Sequence, residues 1–220
     1  MKSTQNVSYV PNPAPIEVIY EDSDIAVVVK PNNLLTVPGR GPDKSDCAEA
    51  RLKQKGYKFV RAAHRLDQDT SGLVIFGLTP EGHRAANMMF ESKKVTKYYE
   101  AIVTGSPTTD KDEWLIDLPL ALDWPNRPKH IVDFKQGKPS QTLVKIIERY
   151  SGKTRLLLKP ITGRSHQLRV HLSYEGTPIY GDPLYGTTID SNRMCLHACR
   201  LIFDHPLCGD RINLRSPALF

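Results

Sequence analysis

The chain has 220 residues, 40% hydrophobic and 25% charged, enough for one large core or two small ones and unlike a fibrous, disordered or disulfide-scaffold protein. Thirty Lys and Arg against 24 Asp and Glu give a net charge of +6, which attracts a polyanion without showing that one is bound. No apolar span of about 18 residues is present, and the N-terminus has no apolar signal core, so membrane insertion and export are not expected and a cytoplasmic location is.

Residues 1–15 carry three prolines and few apolar side chains, and read as a flexible tail ahead of a single domain over 16–220. Ile16 to Tyr20 and Ile25 to Val29, split by Glu21-Asp22-Ser23-Asp24, read as a hairpin. Lys30 to Arg40 is too rich in Pro and Gly for a ladder, and serves as either a pocket wall or a connector. Asp43 to Lys55 predicts a helix that stops at Gly56.

His64-Arg65-Leu66-Asp67-Gln68-Asp69-Thr70-Ser71-Gly72 follows, and leads into the apolar run Leu73 to Leu78. An acid beside an arginine and a Thr-Ser-Gly turn, on a loop fixed by a buried strand, is a common placement for active-site groups, which makes Asp67 the candidate for chemistry. Taken alone, the same residues also suit an ordinary turn whose side chains bond their own backbone.

Thr79-Pro80-Glu81 is a strong helix start, and the helix is predicted over 80–92 with Ala85, Met88, Met89 and Ser92 as its core stripe. Residues 95–104 alternate as a strand, placing Tyr99, Ala101 and Val103 on one face. Trp114 to Leu120 predicts another strand. The proline-rich segment Asp123 to His130 predicts a protruding loop, in which Arg127 and Lys129 could hold phosphates and Trp124 could stack on a base. A plain solvated loop fits the same composition.

Thr142 to Tyr150 and Arg155 to Lys159 read as a second hairpin around Ser151-Gly152-Lys153. Beyond it, Ser165 is placed to cap a helix ending at Gly176, with His166 and Arg169 on one face and Leu168 and Leu172 on the adjoining one. Tyr180 to Gly186 is turn-rich, and Met194 to Phe203 and Ile212 to Leu214 predict the final strands. Many short strands with about three helices, lacking regular strand-helix alternation, predict an α+β domain built on a large, mixed but mostly antiparallel sheet.

Cys195, His197, Cys199, His205 and Cys208 are possible zinc ligands, but no Cys-x-x-Cys pair exists and one extended segment would have to supply them all. Buried sheet cysteines and a core histidine explain the spacing more simply, so no metal is expected. Walker, Gly-x-Gly-x-x-Gly and Gly-x-Ser-x-Gly motifs are absent, and no nucleotide cofactor is expected.

Taken together, these blocks resemble the RluA family of pseudouridine synthases. The resemblance lies in His64-Arg65-Leu66-Asp67 with Thr70-Ser71-Gly72, Lys97-Tyr98-Tyr99-Glu100-Ala101, Gly163 to His171, Tyr180-Gly181-Asp182, the Lys30-Pro31 loop and Leu196-His197-Ala198. The Asp123 to Lys129 loop, with no S4-like RNA-binding segment ahead of the catalytic blocks, is similar to the dual-specificity branch. That branch acts without cofactor or metal on a uridine in 23S rRNA and on another in tRNA anticodon stem-loops. The resemblance assigns Asp67 as the catalytic carboxylate, Tyr99 as the ring beneath the uracil and Arg169 as the partner of Asp67. It leaves open whether the aspartate attacks the sugar or the base, or takes a ribose proton.

Elementary chemistry agrees with this. A carboxylate acts as nucleophile or base only when ionised, and a nearby guanidinium keeps it so. A stacked uridine hides C1′ and its ring faces, so the nucleotide has to be everted. Arg65 is placed to fill the gap, with Arg164, His166, Arg127, Lys129 and Trp124 as further RNA contacts. The residues leave three readings: a synthase acting as a monomer on RNA, of this or another specificity in the family; a non-catalytic RNA-binding protein on the same fold; and a zinc-dependent protein.

Overall fold

A computed structural model of the chain describes residues 9–186 and 191–220. The predicted first hairpin forms as β1 (Glu17–Glu21) and β2 (Ile25–Lys30), and β2 pairs onward with β4 (Ser71–Gly77), the strand that leaves the Asp67 loop. All seven residues of β4 are buried, which is why its Leu73 to Phe76 run is continuously apolar instead of alternating. Its other neighbour is β11 (Leu196–Asp204), which enters parallel, with His197 opposite Ser71 and Ala198 opposite Gly72. Gly72 has φ +115°, and a Cβ there would lie 2.4 Å from the carbonyl oxygen of Ala198. The glycine of the Thr-Ser-Gly turn is what lets the two strands meet.

The sheet continues from β11 to β5 (Thr96–Thr104), β10 (Lys153–Pro160), β9 (Gln141–Tyr150) and β6 (Glu113–Asp117), with β12 (Arg211–Arg215) on β11 and β3 (Arg61–Ala62) on β4, ten strands in all. Among the strand pairings of the described residues, β4/β11 alone is parallel, so the sheet is mixed and mostly antiparallel and the architecture is α+β. Tyr99, Ala101 and Val103 share the core face of β5 with Leu156 and Leu158 of β10, as their alternation predicts. Among the described residues the three α-helices are α1 (Ala48–Gln54), α2 (Pro80–Glu91) and α3 (Gln167–Tyr174), and none of them is long and apolar enough to cross a membrane.

Several local expectations change. The helix expected from Asp43 starts at Ala48 instead, because Pro42–Lys44 form a 3₁₀ turn and the Ala48 amide donates to the Leu35 carbonyl at 2.8 Å. In α2, Thr79 caps as predicted, its Oγ1 accepting from Gly82 N at 3.0 Å. The buried stripe, however, is Gly82, Ala86 and Met89, and Met88 is 61% exposed. Gly82 sets this phase, because a Cβ there would stand 2.2 Å from the Asp24 carbonyl oxygen. The strand expected over Trp114 to Leu120 breaks at Leu118-Pro119, and β7 (Leu120–Leu122) pairs with β8 (His130–Val132) as a separate ribbon beneath the 123–129 loop.

Residues 1–8 of the expected tail lie outside the described residues. Residues 9–15 lack regular structure but are held to the body: the Tyr9 hydroxyl donates to the Asp46 carbonyl at 3.0 Å, and Arg51 donates to the carbonyls of Asn12 and Ala14.

Candidate active site

Asp67 is held by its chain neighbours. On one side, Leu66 exchanges two hydrogen bonds with Thr36, its carbonyl accepting from Thr36 Oγ1 at 2.9 Å and its amide donating to the same oxygen at 3.2 Å. On the other, the Gln68 carbonyl accepts from Lys30 Nζ at 3.0 Å and from the Leu34 amide at 3.2 Å. Lys30 is completely buried and also donates to the carbonyls of Pro31 and Leu34. Burial pushes its ammonium down to about 7 against the opposing pull of Asp69 and Asp67. The Lys30 to Arg40 segment therefore braces the Asp67 loop and, through Leu35 to Gly39, forms one wall of the cavity above it. His64, at the head of the motif, accepts the Ile75 amide at 3.1 Å and packs on Phe90, a structural role that fixes where the loop begins.

Arg169 reaches Asp67 from α3, Nη1 to Oδ2 at 3.1 Å. Its remaining fork is taken by Asp182, with Nε to Oδ2 at 2.7 Å and Nη2 to Oδ1 at 2.8 Å. Arg169 and Asp182 are 2% and 0% exposed against 30% for Asp67, so Asp67 is the member of the triad that the cavity reaches. Burial alone would lower the Arg169 guanidinium, but bonds and charge from Asp182, and then Asp67, raise it above its ordinary value. Burial likewise favours a protonated Asp182, yet Arg169 and the amides of Leu184 and Tyr185 hold it below the usual carboxylate range. The arrangement is a doubly hydrogen-bonded, buried ion pair with one nitrogen left over for Asp67.

His166 stands 3.8 Å from Asp67 Oδ2 through Nε2, and its Nδ1 meets the Tyr185 hydroxyl at 2.7 Å. That hydroxyl accepts from the His130 amide, so its own hydrogen is free to point at Nδ1. Burial, only partly offset by Asp67, lowers the His166 pKa. Ser165 does not cap α3. His166 occupies the cap position in a left-handed conformation, φ 55° and ψ 13°, and Gln167 ties the turn together by accepting from Thr162 Oγ1 and the Arg164 amide. A non-glycine residue in that region is uncommon and costs conformational energy. Here it aims the imidazole at Asp67.

The cavity measures about 710 Å³, and its lining includes Asp67, Tyr99 and Arg169 together with Arg65, Arg164 and His166. Tyr99 is 9% exposed, and burial, then the charge of Asp67, raises its phenol above the ordinary value. Six of the nine residues singled out from the sequence are thus brought to one cavity. Trp124, Arg127 and Lys129 lie outside its lining, on the 123–129 loop, where Arg127 stacks on the 66%-exposed Trp124 ring at 4.7 Å. His130, whose ring centroid is 5.1 Å from that of His166, joins this loop to the site. Asp182, Tyr185, Thr36 and Lys30 are the site's supports that no spacing rule picks out. Among them, Asp182 stands in the Tyr-Gly-Asp block and Lys30 in the Lys-Pro pair, which were the only signals available.

The suggested zinc ligands have other partners. His197 meets Ser71 Oγ through Nδ1 at 2.9 Å and Ser216 Oγ through Nε2 at 3.0 Å, while Cys199 Sγ donates to the Tyr98 carbonyl. His205 faces Asp22.

Residues 24–174 match the family described as RNA pseudouridylate synthase. A dual-specificity RNA pseudouridine synthase RluA from Pasteurella multocida is 41% identical over 219 residues, covering 97% of this chain and 99% of its own length. Its counterpart from Escherichia coli K12 is 42% identical over 207 residues, covering 92% and 93%. Human RNA pseudouridylate synthase domain containing 1 superposes with a TM-score of 0.76 at 28% identity, over 94% of this chain and 86% of the other. The domain containing 4 protein superposes at 0.73 with 21% identity, over 92% and 88%, a likeness of fold alone. A carboxylate, guanidinium and tyrosine gathered in one cavity of an α+β sheet and a family match over most of the chain meet in one conclusion: this chain belongs to the RNA pseudouridine synthases, the isomerases that convert uridine to pseudouridine within RNA.

Proposed function

We propose that Asp67, Tyr99 and Arg169 carry the isomerisation, and that the substrates are a uridine in 23S rRNA and another in the anticodon stem-loop of tRNA. Similarity of 41–42% to dual-specificity relatives, over nearly the whole of both chains, supports the second part. The observation that carries the first is the 3.1 Å contact from Arg169 Nη1 to Asp67 Oδ2 at the cavity wall. Arg169 and His166 both approach Oδ2, so Oδ1 is the oxygen free to meet the everted nucleoside.

In the reaction the C1′–N1 bond breaks, the uracil turns, C1′ bonds to C5, the C5 proton leaves and N1 is left protonated. A carboxylate kept ionised by Arg169 acts as nucleophile or base in this sequence, and Tyr99 lies under the ring. Its raised pKa keeps the phenol protonated, so it supports a proton transfer from C5 only as a hydrogen-bonding relay and not as a standing phenolate. Eversion costs a few kcal/mol of unstacking, least in a loop. Arg65 fills the vacated place, Arg164 and His166 contact the backbone at the mouth, and the Trp124, Arg127 and Lys129 loop contacts RNA beyond it. Residues 16–220 act as one catalytic domain, and the protein works as a cytoplasmic monomer.

Tritium release from stem-loop and ribosomal RNA fragments carrying 5-tritiated uridine tests this. Asp67→Asn is expected to abolish release with RNA binding intact, and Tyr99→Phe to lower kcat more than it weakens binding. Wild-type-like release by Asp67→Asn overturns the assignment, and release from only one RNA class overturns the dual specificity.

A further inference from the structure

Lys97 lies on the cavity face of β5, two residues before Tyr99, and belongs to the cavity lining. Its ammonium forms no hydrogen bond and no ion pair among the described residues, and its neighbours are the Phe90 ring, 5.9 Å from Nζ, and His64, on which its charge acts. The other cation of the inner cavity, Arg169, has both Asp67 and Asp182. A part-buried ammonium with an aromatic face and no anion is an incomplete site, because burial removes its water without supplying a counter-charge. Burial accordingly lowers its pKa.

The Gly163 turn comes close to it. Lys97 Nζ is 3.4 Å from where a Cβ on Gly163 would stand, so the residue that opens the Gly163-Arg164-Ser165-His166 turn has no side chain where Lys97 arrives. Arg164, next in that turn, is exposed and lines the same cavity. Lys97 and Arg164 thus both line the cavity that Asp67 lines, with Gly163 of the turn close to the Lys97 ammonium.

We infer that Lys97 is the binding residue for a phosphodiester flanking the everted uridine, met by its ammonium from the cavity side. This rests on the reading of the cavity as the uridine site. A phosphodiester is the anion that a nucleotide entering here necessarily brings, and its charge is retained throughout the isomerisation. The contact therefore acts equally on bound substrate and transition state, and belongs in KM and Kd more than in kcat.

The test uses the full-length protein with a tRNA anticodon stem-loop RNA, and compares it with the same RNA made with a neutral methylphosphonate on the 5′ or the 3′ side of the target uridine. Kd is measured by filter binding and turnover by tritium release. Lys97→Met is expected to raise Kd and KM about tenfold with kcat within about twofold, as loss of one charge-assisted contact implies, and to lower the salt slope of binding by about 0.7. Lys97→Arg should recover most of the binding. At one of the two linkages the methylphosphonate should weaken the wild type about as much as Lys97→Met does, and add nothing further in that variant. Additive losses at both linkages, or a fall in kcat with Kd unchanged, overturn the inference. A wild type that binds but never releases tritium would defeat the isomerase reading, while the Kd comparison would still decide Lys97. The wild-type protein with modified RNA keeps the test valid if Lys97→Met fails to fold.

Discussion

Asp182 contributes no atom to the cavity lining, yet it determines what Asp67 meets. By occupying Nε and Nη2 of Arg169 at 2.7 and 2.8 Å it leaves Nη1 as the nitrogen directed at Asp67. Asp182→Asn would keep the shape and remove the charge, stranding a guanidinium that is 2% exposed. Breaking a buried pair in this way costs about 3–5 kcal/mol, so a lowered urea midpoint is expected together with a fall in kcat, and an unchanged midpoint would remove Asp182 from the site's support. None of this could be read from spacing. Asp67 and Arg169 are 102 positions apart, and only the resemblance of their motifs to one family joined them. His166 was legible as a candidate but not as the helix cap, because a positive φ at a residue other than glycine leaves no mark in the sequence.

At the level of elements, the cavity is a loop and a helix start presented by a sheet, and its accuracy depends on how the loops are tied. Lys30 ends β2 and spends all three of its protons on the carbonyls of Pro31, Leu34 and Gln68. The loop after β2 and the loop carrying Asp67 are thereby closed by one side chain. Lys30→Met would leave the buried carbonyls of Pro31 and Leu34 without a donor, Gln68 keeping the Leu34 amide, which is expected to cost on the order of 3 kcal/mol and to lower kcat with RNA affinity retained. Thermal melts and single-turnover rates check this, and a stable, fully active variant would make the lysine dispensable. The strands were legible because alternation and β-branching survive in any context, as in β5 and the two hairpins. The phase of α2 was not, since Gly82 turns toward Asp24 for want of a side chain while Met88, the more apolar residue, faces solvent.

For the molecule as a whole, acid should act through buried histidines. Burial, then Arg193, lowers His197 to about 4, and burial, then Lys97, lowers His64 to about 3. Both lie below the ordinary unfolded value of about 6.5. The unfolded chain therefore takes up protons that the folded chain refuses, and stability present above about pH 6.5 is lost as pH falls toward 4. The slope is about 1.4 kcal/mol per pH unit for each histidine. Urea unfolding between pH 6.5 and 4 should show it, with His197→Gln shallower by about one proton, and parallel slopes in the two proteins would refute it. His197 also marks how late the fold closes. It joins Ser71 across 126 positions of sequence, and its strand β11 slides between β4 and β5 after almost all the rest of the chain has been made. During synthesis, then, the Asp67 loop is carried on a sheet whose central slot is vacant until residues beyond 196 leave the ribosome. A chain arrested before that point would hold Asp67, Tyr99 and Arg169 without the finished sheet that brings them to one cavity, so the isomerase would stay inert while still attached to the ribosome.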